Sequence, residues 1–129
     1  MDARTTARLW PLLALTLAAL PACAPTRGAP EDSDSWEFTH NQYVGVVGGS
    51  VDRTYRATMA AVEQLGMTVR AQSREATRAQ VRAREADGTS VEINLLRQSG
   101  EFTRVTVHIG VLGDEARSRA IVAKIKENL

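Results

Sequence analysis

The side chains best suited to covalent or acid–base chemistry are Cys23, His40, His108, Ser118 and the adjacent carboxylates Asp114 and Glu115. The histidines are not at the i, i+4 spacing that sets two imidazoles on one helix face, and Cys23 is the single cysteine. A disulfide within the chain and a cysteine-rich zinc site are both excluded. Ser118 falls one turn into a helix, not on the sharp strand-to-helix turn between glycines that exposes a catalytic serine. It fits a packing contact. Asp114 and Glu115 sit where a helix begins, and carboxylates there satisfy free backbone N–H groups without doing catalysis. Gly45, Gly48 and Gly49 lack the Gly-Lys-Ser/Thr of a phosphate loop and the spacing of a dinucleotide fingerprint. A sharp strand exit accounts for them. No catalytic residue, metal ligand or cofactor is assigned, and no enzyme activity is expected.

Cys23 has a more specific setting. Arg4 and Arg8 precede an apolar run from Leu9 to Leu20, interrupted only by Pro11 and Thr16. The run is shorter than the ~20 residues a spanning helix needs and fits the apolar part of an export signal. It ends in Leu20-Pro21-Ala22-Cys23, which resembles a bacterial lipobox, with Pro21 a departure from its commoner small residues. In that chemistry the thiol takes a diacylglyceryl group and the amine freed by cleavage is acylated. Ala24, not Asp, follows Cys23. By similarity to enteric sorting, this points to the outer membrane, with the protein facing the periplasm. The alternative is ordinary cleavage after Ala24, with Ala22 and Ala24 as the small residues, giving a soluble periplasmic protein.

The reading divides the chain into a signal peptide (1–22), a lipid anchor and flexible linker (23–40), and one domain (41–129). Removing residues 1–22 takes two arginines and one aspartate from a chain with 16 Lys+Arg and 15 Asp+Glu, which leaves 14 of each sign. That balance gives no steering toward nucleic acid, so no nucleic-acid partner is expected. Pro25, Gly28, Pro30 and the acidic Glu31, Asp32 and Asp34 lack any period and read as a tether. Trp36 and Phe38 near its end are expected to dock on the domain edge.

Within the domain, a Val- and Gly-rich stretch from Gln42 to Gly48 predicts a strand. A helix follows from about Asp52 to Leu65, capped by Ser50 or Asp52, with Tyr55, Met59, Ala61, Val62 and Leu65 on its apolar face and Gly66 just beyond its end. Alternation then takes over at Met67, Val69, Ala71; at Ala79, Val81, Ala83; at Val91, Ile93, Leu95; and at Val105, Val107, Ile109. This period of two predicts strands buried on one face and wet on the other. Ala86-Asp87-Gly88 and Gln98-Ser99-Gly100 are read as three-residue hairpin loops pairing Glu85 with Thr89 and Arg97 with Glu101. That register sets Val81 against Ile93 and Arg82 against Glu92, with Val105 and Val107 facing Ile93 and Val91. A last helix opens at Asp114 and carries Ile121, Val122, Ile125 and Leu129. The fold class is α+β: a single, antiparallel-rich sheet of about five strands with two helices on one face, in the order β-α-β-β-β-β-α.

The segments from Tyr43 to Thr58 and from Gly110 to Ile121, with Lys124-Ile125 and Leu129, are similar to a family of small bacterial lipoproteins, the domain of unknown function 3568. The resemblance spans roughly residues 41–129. It implies an exported single-domain protein and supplies no catalytic residues. The one patterned polar feature is the set Arg70, Arg82, Arg84 and Arg104, alternating with core positions on three strands, which predicts an arginine-rich wet face suited to an anionic partner. The sequence thus predicts an envelope lipoprotein held to the membrane through Cys23, a structural or interaction module whose partner is an envelope protein or an anionic polymer. The alternative is a periplasmic binding module that holds an anionic ligand on the arginine face.

Overall fold

The computed structural model describes residues 35–129. Cys23, the segment expected to be a signal peptide and the expected linker up to residue 34 lie outside the described residues. The elements are β1 (Glu37–Thr39), β2 (Gln42–Gly48), α1 (Val51–Gln64), β3 (Thr68–Arg74), β4 (Arg78–Arg84), β5 (Ser90–Ser99), β6 (Phe102–Ile109) and α2 (Glu115–Glu127). All neighbouring strands are antiparallel, in the order β1-β2-β6-β5-β4-β3. The α+β class and element order are as the sequence predicts, with one strand more.

That extra strand corrects the domain boundary. β1 falls inside the stretch read as linker, because three residues are too short to show a period. It joins β2 through a two-residue turn in which His40 and Asn41 both have positive φ, the conformation of a type I′ hairpin. Trp36 stacks on Tyr43 at 5.2 Å between ring centroids and lies over Gly45, where an added Cβ would collide with the indole. Gly45 is therefore a seat for the ring. Trp36 and Phe38 do pack on the core from the domain edge.

Ala79, Val81, Ala83, Val91, Ile93, Leu95, Val105, Val107 and Ile109 are all buried, and both helices cover that one face of the sheet. The first hairpin has the predicted register. Val81 faces Ile93, Arg82 faces Glu92, Glu85 N–H donates to Thr89 O, and Gly88 takes φ +89°. The second hairpin differs. Ile93 pairs with Val107 and Leu95 with Val105, two residues on from the predicted partners. A bulge between Arg97 and Ser99 absorbs one residue, and Gly100-Glu101 then turns the chain with Gly100 at φ +52°. A shift of two keeps every side chain on its predicted face.

A second bulge, between Val69 and Ala71, does change faces. Ala71 was expected inside. It pairs with Arg82 and is exposed. Beyond the bulge Arg74 turns to the helix side, where it meets Asp52 at 2.8 Å and lies over the Tyr55 ring.

Ser50 caps α1 by accepting from Arg53 N–H, and Asp114 caps α2 by accepting from Arg117 N–H. The buried stripe of α1 is rotated from the predicted one. Val51, Thr54, Ala57 and Thr58 are buried together with the predicted Ala61 and Val62, while Tyr55 and Met59 are half-buried and Leu65 is exposed. Thr54 and Thr58 can lie inside because each hydroxyl donates to the carbonyl four residues back.

Two outcomes follow for stability. Ile93 has no exposed surface, so Ile93→Asp buries an unpartnered carboxylate and should abolish cooperative unfolding, whereas Thr106→Asp on the open face should cost about 0.5 kcal/mol or less. Urea denaturation distinguishes them, and equal damage would mean that both faces are covered. Gly45→Ala drives a methyl into the Trp36 ring, and overpacking of this kind costs about 1–3 kcal/mol. Urea titration of that variant should show the loss, together with red-shifted indole emission. An unchanged midpoint would remove Trp36 from its seat.

Candidate functional site

An antiparallel sheet with one face under helices presents its other face to solvent. Here that face has rows set by the ladder. Val44, Thr106, Asn94 and Gln80 are opposite one another across β2, β6, β5 and β4; Gln42, His108, Glu92 and Arg82 form the next row; Val46, Arg104, Leu96 and Arg78 form a third.

Three of the four arginines singled out in the sequence, Arg82, Arg84 and Arg104, have alternation positions on this face and are exposed. Arg70 is the residue that the β3 bulge leaves without a cross-strand partner, so the alternation that grouped it with the others does not extend to it. The remaining three are not equivalent. Arg82 Nε lies 3.4 Å from Glu92 Oε2, while Gln80 and Asn94 both donate to Glu92 Oε1 at 3.1 and 2.9 Å. Glu92 thus gathers three neighbours and takes Arg82 partly out of service as an anion receptor.

Arg84 lies near the end of β4, opposite Thr68 and Ser90. Arg104 is central, opposite Val46 on one side and Leu96 on the other. Neither Arg84 nor Arg104 has an ion pair among the described residues. The solitude of Arg104 among apolar neighbours was not read from the sequence, because it depends on the β2–β6 pairing between strands more than fifty residues apart.

The candidates for covalent chemistry do not share a pocket. Ser118 is fully buried in the first turn of α2, its hydroxyl donating to Asp114 O at 2.6 Å. His108 is on the open face, with Nδ1 2.9 Å from Asn41 O. His40 occupies the β1–β2 turn beside Thr39. Among the described residues no group of three His, Cys, Asp or Glu stands together as metal ligands. Asp114 caps its helix, and its carboxylate joins Glu85 and Asp87 around the Arg117 guanidinium. The Thr89 backbone N–H, then its hydroxyl and Arg117, hold the Asp87 carboxyl below the usual carboxylate range. This cluster clasps the first hairpin to α2.

A separate groove of about 550 Å³ runs between α1 and β3, lined by Met59, Val62, Glu63, Met67 and Val69. No helix among the described residues is long and apolar enough to cross a membrane.

The chain matches the family described as protein of unknown function (DUF3568) over residues 8–128, and it belongs to that family. The match begins well before the resemblance read from the motifs alone. Among curated proteins, none matches the chain.

The open-face geometry separates two substitutions. Glu92→Ala should cost about 1 kcal/mol, since Gln80, Asn94 and Arg82 lose a shared acceptor. Arg104→Gln should stay within about 0.5 kcal/mol of the parent protein. Thermal unfolding of both variants measures this, and a larger loss at Arg104 would reveal a structural partner for it.

Proposed function

We propose that the protein is an exported lipoprotein of the bacterial envelope, anchored through Cys23 to the outer membrane and acting as a structural or interaction module. The observation that carries this reading is the order of features at the N-terminus. Two arginines, an apolar run of signal length and Leu20-Pro21-Ala22-Cys23 come in the sequence that lipid modification requires. Several acyl chains at ~0.8 kcal/mol per buried methylene would hold it firmly. The folded domain that follows is a small one-sided sheet whose catalytic-type residues lie apart. Presentation of a surface suits it better than turnover.

A second reading, a binding module for an anionic envelope ligand, is favoured by Arg84 and Arg104, which stand on the open face with no ion pair among the described residues. Arginine grips phosphate or carboxylate in two places, which lysine does not.

Metabolic labelling with a fatty-acid analogue tests the anchor. The parent chain should take up label and stay with membranes through alkaline carbonate washing. Cys23→Ser should lose the label and appear in the soluble fraction. Membrane retention of the unlabelled variant would sink the lipid-anchor reading.

A further inference from the structure

Arg104 is the side chain whose surroundings least resemble an ordinary solvated surface. Its cross-strand neighbours Val46 and Leu96 are aliphatic, Phe102 lies two residues before it on the same strand face, and Leu96 is 49% exposed. No acceptor among the described residues engages its guanidinium, whereas Arg82 has Glu92 and Arg78 has Glu75. An arginine in such a setting lays its stem along apolar surface and lifts a planar cation above it. A partner complementary to that pattern must offer an anion ringed by hydrocarbon. A phospholipid interface does so, with phosphates above and acyl carbons beneath.

We infer that the open sheet face docks on an anionic phospholipid bilayer, with Arg104 and Arg84 taking headgroup phosphates while Val46, Leu96 and Phe102 enter the interface. The inference rests on the anionic-ligand reading and names its ligand. A soluble polyanion would use the arginines and leave the aliphatic ring unused. The face also has relief beside this ring. A hollow of about 420 Å³, with walls that include Glu75, Arg78, Gln80, Asn94 and Leu96, has its one carboxylate paired with Arg78, and its amides face polar headgroup atoms next to an exposed leucine.

Chain length favours the same occupant. Eleven residues lie between Cys23 and Ser35, so twelve Cα–Cα steps join them. At the covalent limit they span about 40 Å, so a lipid on Cys23 would keep the domain within reach of the bilayer. A face of modest intrinsic affinity then binds at high effective concentration. Each arginine near an anionic surface is worth about fivefold in partitioning, and salt screens that attraction.

The test uses residues 23–129 carrying Cys23→Ser, which contain every described element and leave binding to the face. The chain is sedimented with vesicles of phosphatidylglycerol and phosphatidylethanolamine, and with vesicles of phosphatidylcholine alone. Binding should require phosphatidylglycerol and weaken as salt rises. Arg104→Gln should lower partitioning about fivefold. Leu96→Asn should lower it with the salt dependence unchanged, and Arg56→Gln, on α1 across the molecule, should leave it as it was. The inference is overturned if the chain stays in solution with both vesicles, if it prefers neither, or if Arg56→Gln weakens binding as much as Arg104→Gln. Labelling of Cys23 in cells decides the anchor separately: an unlabelled chain whose face still binds vesicles rejects only the anchor.

Discussion

Ile93, Leu95, Val105 and Val107 form the middle of a core that only one side of the sheet can supply. Each strand offers alternate residues to that side, and α1 and α2 complete the burial by laying their own stripes across it. Because the period is two, burial of these residues obliges Asn94, Leu96, Arg104 and Thr106 to emerge on the other side. The open face is thus a consequence of the core. Its composition is the part that the core leaves free to vary, and there a mixture of arginine, amide and aliphatic side chains stands where simple solubility would be served by charge alone.

Most of the architecture was legible because it depends on local pattern. The first hairpin follows from Asp87-Gly88 between alternating runs, and the two helix caps from Ser50 and Asp114 before helical stripes. The departures have physical causes that a pattern does not carry. Bulges at β3 and β5 insert a residue without any signature in residue type, so Ala71 changed faces and the β5–β6 partners moved by two. Thr54 and Thr58 are absent from the apolar face that the helical spacing predicts, yet their hydroxyls find acceptors in their own helix and the rest of each side chain is buried. β1 was hidden within the stretch read as linker, and its pairing with β2, with Trp36 seated on Gly45 and Tyr43, and Phe38 on the core, explains why a strand forms there.

The candidate site was legible in part. Alternation gave Arg82, Arg84 and Arg104 a common face, and the first hairpin gave Arg82 its partner Glu92. Alternation did not distinguish a neutralised arginine from a solitary one. That distinction required the non-local β2–β6 pairing, which puts Val46 beside Arg104. The proposed lipid anchor and the proposed membrane-facing sheet would divide the work between them, one supplying attachment and the other orientation. Family membership adds no chemistry to this, since the family is itself one of unknown function.

Adjacent residues of opposite burial give the most direct test of one-sided burial, above all Leu95 and Leu96. Cysteines placed singly at Leu95, Leu96, Thr103 and Arg104, in a chain with Cys23→Ser, would be timed for maleimide labelling in the folded state. One-sided burial predicts fast labelling at 96 and 104, and protection at 95 and 103 that is lost only on unfolding. Equal protection at 95 and 96, or at 103 and 104, would contradict it.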